Sequence, residues 1–450
     1  MIFNRRACHD GLVAPTRIGG YQDLRIDTSL TGRVAHGAPK RSCRTVFGNL
    51  SMAFVGTFSI VCAVSAFPEP VLAKSNCQNT QKFSTWLSGF KAYAVEQGVS
   101  KRTVQRALSG MQLSRKVLSR DRRQGFFAQS FATFSKKLAT EHRRKAGIAK
   151  IKQYRNYFDR AEKETGVPPE VITGFWALES DFGVGMGKFP VLQALTALAY
   201  DCRRKELFTG ELLAALKIID RGDLRPADMI GSWAGELGQT QFLPTHYLNH
   251  AIDYDGDGRA NLFKSNGDII GTTAAFINHL GWRRGEPWLV EVRVPGKLPW
   301  KEADLTIQHP RSTWAKWGVT NADGGPLKSD SLPASLLLPM GRFGPAFLAF
   351  NNFKVYLEWN HSLTYATTAA YLATRMSGAK TMKGRERKFP RLSAEEVQQL
   401  QRILIRNGYD VGKPDGIIGA KTRAAVKAMQ IKFGFAADSY PTPALLRKLR

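Results

Sequence analysis

Apolar residues along much of this chain fall three and four positions apart. "FSTWLSGFKAYAVEQG" and "SKRTVQRALSGM" show this spacing, each with glycine near its end, and it predicts two amphipathic helices. The same period returns in "LTYATTAAYLATRM". Between them "LVEVRVPGKLPW" has Val290, Val292 and Val294 at alternate positions before a turn-forming Pro-Gly, which predicts strands in a smaller mixed lobe reaching to about Met340. "SGAKTMKGRERKFPRL" is basic, polar and closed by a proline, and reads as a linker over 377–392. Beyond it a capping box at Ser393 and Glu396 opens a helix with Val397, Leu400 and Leu404 on one face. Gly408 stops that helix, Asp415-Gly416 makes a turn, and Ala425, Val426, Met429 and Phe433 mark the next. The pattern therefore predicts a mainly α body over 74–376 and a compact C-terminal module over 393–450.

The first 73 residues depart from this pattern. Lys40, Arg41 and Arg44 precede the apolar run "MAFVGTFSIVCAVSAF", and Val71 and Ala73 are small residues placed for cleavage after Ala73, as in a secretory signal. An apolar run of sixteen residues is short for a membrane span. Residues 1–39 are an awkward prelude to a signal, so the true start is expected downstream of Met1. Removing the leader leaves Cys77 and Cys202, an even pair that suggests one disulfide in an oxidising compartment or two separate buried thiols. It also leaves 57 basic and 33 acidic residues, a net charge of +24 that suits a polyanionic partner. In a cell envelope the available polyanions are anionic lipid surfaces and wall polymer, with nucleic acid less accessible.

The segment "GVPPEVITGFWALESDFGVGMG" carries the candidate chemistry. Pro168 and Pro169 suit a helix start, and Gly183 and Gly185 are natural stops. Glu179 falls four residues after Phe175 and three after Trp176, which places a carboxylate on an apolar face near the helix C-terminus. Both surroundings raise its pKa, as a general acid working near neutral pH requires; a buried structural glutamate paired with a basic residue is the alternative. Glycoside hydrolysis ordinarily uses two carboxylates, yet Asp181 at two residues' separation points to nearly the opposite side. It reads as a cap or surface group.

"DYDGDGRANLFKSNGD" places Asp253, Asp255 and Asp257 at alternate positions, Gly258 at a sharp turn, and Asn261 at the ninth place of an EF-hand calcium loop. Arg259 could contribute only its backbone carbonyl. The twelfth position is Lys264 instead of a bidentate glutamate, which excludes a sensor-grade site. His246 and His250 in "HYLNH" have zinc-helix spacing but lack the HExxH glutamate and a third ligand.

Six motifs in order, "GVPPEVITGFWALESDFG", "LAYDCRRKELF", "GSWAGELGQTQFLPTHYL", "DYDGDGRANLF", "HLGWRRG" and "WNHSLTYA", make residues 157–378 resemble lytic murein transglycosylases of the membrane-bound type B family. "DGIIGAKTRAAV" makes the C-terminal module resemble a peptidoglycan-binding domain of three helices. The resemblance implies a lysozyme-like helical catalytic domain and a single catalytic glutamate at Glu179. It implies cleavage of the MurNAc-β-1,4-GlcNAc bond without water, giving 1,6-anhydroMurNAc, with no catalytic cofactor. It also implies sugar-binding roles for Gln241, Asn360 and Tyr365, carboxylate-binding forks on Arg203 and Arg204, and Asp268 as the later acidic ligand of a structural Ca²⁺ loop. In "GELG", relatives often have a small residue and Met at the positions of Glu236 and Leu237, so Glu236 is either a second cleft carboxylate or a loop charge.

The expected protein is thus periplasmic, acting on peptidoglycan glycan strands rather than nucleic acid, with cell-wall assembly proteins as further candidate partners. No lipobox cysteine follows the cleavage site, so a lipid anchor is not expected. A hydrolytic muramidase and a non-catalytic wall-binding protein are the competing readings.

Overall fold

The computed structural model describes residues 79–122, 129–382 and 391–450. The leader, its cleavage site and Cys77 lie outside the described residues, as do 383–390 of the linker. Among the described residues no helix is long and apolar enough to cross a membrane.

The two N-terminal helices span Phe83–Glu96 and Lys101–Leu108, and the Ser100 side chain caps the second by accepting from the Thr103 N–H. The body is built around the helix Pro169–Ser180, hereafter the glutamate helix. Every residue from Val171 to Leu178 in it is buried, so it is apolar on all sides rather than on one face. It packs against the helices Glu141–Gln153 and Leu363–Met376, and less extensively against Asn266–His279. One continuous core runs through this body, from Trp86 and Phe90 to Tyr371 and Met376.

The smaller lobe is a five-stranded antiparallel sheet in the order His309–Pro310, Pro333–Leu337, Ala346–Ala349, Leu289–Arg293, Thr320–Asn321. The expected boundary near Met340 is too early, because the central strand Ala346–Ala349 follows it. All four of its residues are buried, so it lacks the alternation that marks a half-exposed strand. The lobe has its own core around Trp314, whose indole N–H donates to the Ala334 carbonyl at 2.9 Å.

The C-terminal module has helices Ala394–Arg406, Ala420–Lys432 and Pro443–Leu449 around Leu400, Leu404, Val426 and Leu445. Its capping box is present at Ser393 and Glu396. The module is seated on the sheet lobe. Asp438, almost fully buried, accepts the Arg342 backbone N–H at 3.0 Å; Arg423 donates to the Leu338 carbonyl at 2.8 Å, and Lys427 pairs with Asp304 at 2.8 Å. Gly341 is needed at this seam: its φ is +71°, and a Cβ there would stand 2.7 Å from that of Tyr440.

Candidate active site

The glutamate helix starts as the prolines predict, with Pro168 at its N-cap and Pro169 in the first position. It stops three residues before Gly183. Asp181 takes the left-handed conformation at φ 52°, its N–H bonds the Ala177 carbonyl, and its carboxylate accepts from Arg143 Nε at 2.9 Å. Asp181 is therefore a cap held by an ion pair.

Glu179 is the one residue between Val171 and Ser180 that is not fully buried. Its Oε1 accepts two hydrogen bonds, from Tyr365 OH at 2.5 Å and from Trp359 Nε1 at 2.9 Å. Phe175 stacks on Trp359 with ring centroids 4.2 Å apart and on Tyr356 at 4.8 Å, which fixes the indole that holds the carboxyl. Burial pushes the Glu179 carboxyl up to about 7; the nearby Glu236 charge adds to this, while the Tyr365 and Trp359 donors oppose it. Burial and the adjoining Glu179 carboxylate raise the Tyr365 phenol well above its usual range, so it keeps its proton and remains a donor. With Oε1 occupied by two donors, the proton of the neutral acid is carried on Oε2. The arrangement can deliver one proton near neutral pH and take one back.

Glu236 is 1 % exposed, a buried carboxylate rather than a surface loop charge. It acts electrostatically on Glu179, Tyr365 and Arg204. Gln241, buried at φ 51°, donates its amide to the Gly238 carbonyl at 2.8 Å and the Met186 carbonyl at 3.3 Å. Asn360, also buried, ends the helix Asn351–Trp359 and accepts from the Ser362 N–H at 3.0 Å. Arg203 and Arg204 converge on the buried Asp121: Arg203 Nε donates to Oδ2 at 2.6 Å, and Arg204 pairs with Oδ1. Their forks thus hold a protein carboxylate. Arg203 keeps 41 % of its side chain exposed against 16 % for Arg204.

Sequence reasoning did not single out Trp359 as a partner of the acid. Its signal was its place just before Asn360, in the motif that also carries Tyr365. Gln239 was missed as well. Its Oε1 accepts from Trp176 Nε1 at 2.8 Å, its Nε2 donates to the Phe263 carbonyl at 2.9 Å, and its own carbonyl accepts from Ser180 Oγ at 2.5 Å.

In the acidic loop, one carboxylate oxygen from each of Asp253, Asp255 and Asp268 lies within 4.8 Å of the others. That donor set suits a hard cation. Asp257 stands outside the group, with its Oδ1 accepting the Arg259 N–H at 3.1 Å. Asp268 is buried and accepts the N–H groups of Tyr254 at 2.6 Å and Asn261 at 2.7 Å; burial raises its carboxyl. The rings of His246, His250 and His279 cluster around Phe276, and among the described residues they join no group of three metal-ligating side chains. Cys202 opens a 3-10 turn, Cys202–Arg204, while the expected pairing with Cys77 falls outside the described residues.

Comparison with known proteins gives two family matches, a transglycosylase SLT domain over residues 82–374 and a putative peptidoglycan binding domain over 393–449. Membrane-bound lytic murein transglycosylase B of Escherichia coli K12 is 32% identical over 248 residues, 55% of this chain and 67% of the relative. SltB3 from Pseudomonas aeruginosa, in complex with NAG-anhNAM-pentapeptide, is 39% identical at a TM-score of 0.76, covering 82% of this chain and 100% of that one. Escherichia coli Slt35 in complex with calcium is 30% identical at a TM-score of 0.56, covering 65% of this chain and 92% of that one.

Proposed function

The chain belongs to the SLT transglycosylase family, and from that premise we propose that this peptidoglycan lytic transglycosylase is exported, acts in the periplasm and releases 1,6-anhydroMurNAc ends. Its fold is the lysozyme-like helical one with a small sheet lobe and a three-helix peptidoglycan-binding module. We place the leader at 1–73, the catalytic domain at 74–376, the linker at 377–392 and the binding module at 393–450.

Glu179 is the general acid and then the base. Its Oε2–H protonates the glycosidic oxygen of the MurNAc-β-1,4-GlcNAc bond, the C1–O bond breaks, and the 2-acetamido group of the sugar steadies the oxocarbenium-like centre. The carboxylate then takes the proton of the C6 hydroxyl as that oxygen closes on C1. An internal nucleophile at high effective concentration removes the need for a second carboxylate to activate water. The observation that carries this reading is the buried Glu179 carboxyl, raised to about 7 with one oxygen held by two donors, beside an Asp181 tied to Arg143. SltB3 bound to an anhNAM-containing ligand supports the same product here.

We assign Gln241 and Asn360 to sugar binding. Arg203 is assigned to a lactyl or stem carboxylate, with Arg204 holding Asp121 in support. Mass spectrometry of products from purified sacculi tests the reaction. Anhydro ends, one water lighter than reducing ends, are expected, and reducing ends would establish a hydrolytic muramidase instead. If nothing is released, the chain is a wall-binding protein only.

Asp253, Asp255 and Asp268 would hold a structural Ca²⁺, with Asp257, the Arg259 carbonyl and Asn261 nearby, and the cation would neutralise their mutual repulsion. The calcium complex of Slt35 supports this reading. Calcium at about 100 times its Kd is expected to stabilise the protein by about 2.7 kcal/mol, read as a rise in Tm. Asp253→Asn should remove most of that rise, and an unchanged Tm in the native protein would dismiss the site. The Cys77–Cys202 disulfide is retained as part of the exported state, and other wall-assembly proteins as candidate partners.

A further inference from the structure

We infer that Gln239 is a positioning residue for Glu179, coupling the acidic loop to the last turn of the glutamate helix. The inference rests on the functional reading of Glu179 but on different atoms.

A continuous set of hydrogen bonds joins the two regions. At the loop end, Asp268 Oδ2 accepts the Asn261 N–H at 2.7 Å, and Asn261 Oδ1 accepts the Phe263 N–H at 3.1 Å. The carbonyls of the next two residues then meet one side chain and its backbone. Leu262 O accepts the Gln239 N–H at 2.8 Å, and Phe263 O accepts Gln239 Nε2 at 2.9 Å. At the other end Gln239 is engaged twice by the glutamate helix, through Trp176 Nε1 to its Oε1 and Ser180 Oγ to its carbonyl. Trp176 and Ser180 lie three residues before and one residue after Glu179.

Two further details show that the contact is built for this residue. Ser180 Oγ also accepts the Gly183 N–H at 2.9 Å, so the same hydroxyl ties Gln239 to the chain leaving the helix. Gly183 has φ +93°, and a Cβ there would come within 2.7 Å of the Gln239 side-chain amide. Asp181 and Phe182, just before it, are both in the left-handed region at φ 52° and 59°. Left-handed non-glycine residues in succession persist only where surrounding contacts over-determine them. Gln239 and Ser180 supply such contacts from one side, and Arg143 on Asp181 supplies them from the other.

The consequence is that disturbance at the acidic loop reaches Glu179 as a change in pose and water access, with no side chain of the loop touching substrate. A shift of about 1 Å in an acid's position can cost on the order of 10²-fold in rate. Gln239→Met keeps length and volume but removes both side-chain hydrogen bonds. It is expected to lower kcat about 10-fold with KM little changed. It should also move the ionisation midpoint of Glu179, followed by ¹³C-carboxyl NMR, down from about 7 towards ordinary carboxylate values as water enters. A role in stability alone would lower Tm without moving that midpoint.

Asp268→Asn completes the test, because it loosens the far end of the same chain of bonds. Its effect on kcat and on the midpoint should be large in the native background and small in the Gln239→Met background. If the asparagine variant does not fold, the kcat and midpoint of Gln239→Met decide alone. An unshifted midpoint and unchanged kcat in Gln239→Met, or strictly additive effects in the double variant, would overturn the inference. A native protein that releases nothing from sacculi but whose midpoint falls in Gln239→Met would refute the enzyme reading and leave the positioning role standing.

Discussion

Glu179→Gln is expected to lose on the order of 10²–10⁴-fold in turnover of purified sacculi, and at neutral to alkaline pH to be more stable than the native protein. The loss follows from removing the only proton on the site that the two donors leave free to face substrate. The gain follows from the raised carboxyl. Between about 4.5 and about 7 the folded state holds a proton that the unfolded chain releases, so stability falls as pH rises through that window. Above it the ionised carboxylate costs the folded protein up to about 3 kcal/mol, a penalty that an amide does not incur. Thermal melts at pH 5 and pH 8 check the sign: the difference in Tm between variant and native should grow from the first to the second. A variant equally stable at both, or one still turning over sacculi within a few-fold of native, would remove Glu179 from the role of buried acid. Native turnover should itself decline as pH rises through about 7, because the acid is then ionised before the glycosidic oxygen can be protonated.

The second large effect is expected for Tyr365→Phe. The ring is fully buried and is retained, so the fold survives, but Oε1 of Glu179 keeps only the Trp359 donor. Because the phenol stabilises the ionised form, its removal raises the Glu179 pKa further, and the alkaline limb of the pH profile should move upward. The rate at the optimum should nevertheless fall, on the order of 10²-fold, since the carboxylate formed after proton delivery loses a preorganised donor in a site with little water. An unchanged profile with an unchanged rate would mean that the 2.5 Å bond plays no part in the reaction.

Much of this was legible along the chain. Proline at the start of the glutamate helix, the spacing of Phe175, Trp176 and Glu179, and the capping box at Ser393 are local signals, and the helices form where those signals place them. The rest depended on contacts between distant segments. Trp359 and Tyr365 reach Glu179 across about half the described chain, and no periodicity within either helix reveals that meeting. Arg203 and Arg204 have the forks that carboxylate ligands need, and fork chemistry alone could not tell an external carboxylate from Asp121. The strand Ala346–Ala349 was missed because full burial erases the alternation that identifies a strand.

The seam between the C-terminal module and the sheet lobe bears on reach. A module swinging on a flexible tether presents its grip throughout a cloud of positions, and the local concentration of substrate at the cutting site is then set by tether length. Here Asp438, Arg423 and Lys427 fasten the grip to the body, so the vector from grip to Glu179 is fixed. A strand held by the module is offered to the acid at one offset. Lengthening residues 377–392 should leave that stride unchanged, whereas unfastening Asp438 should blur it.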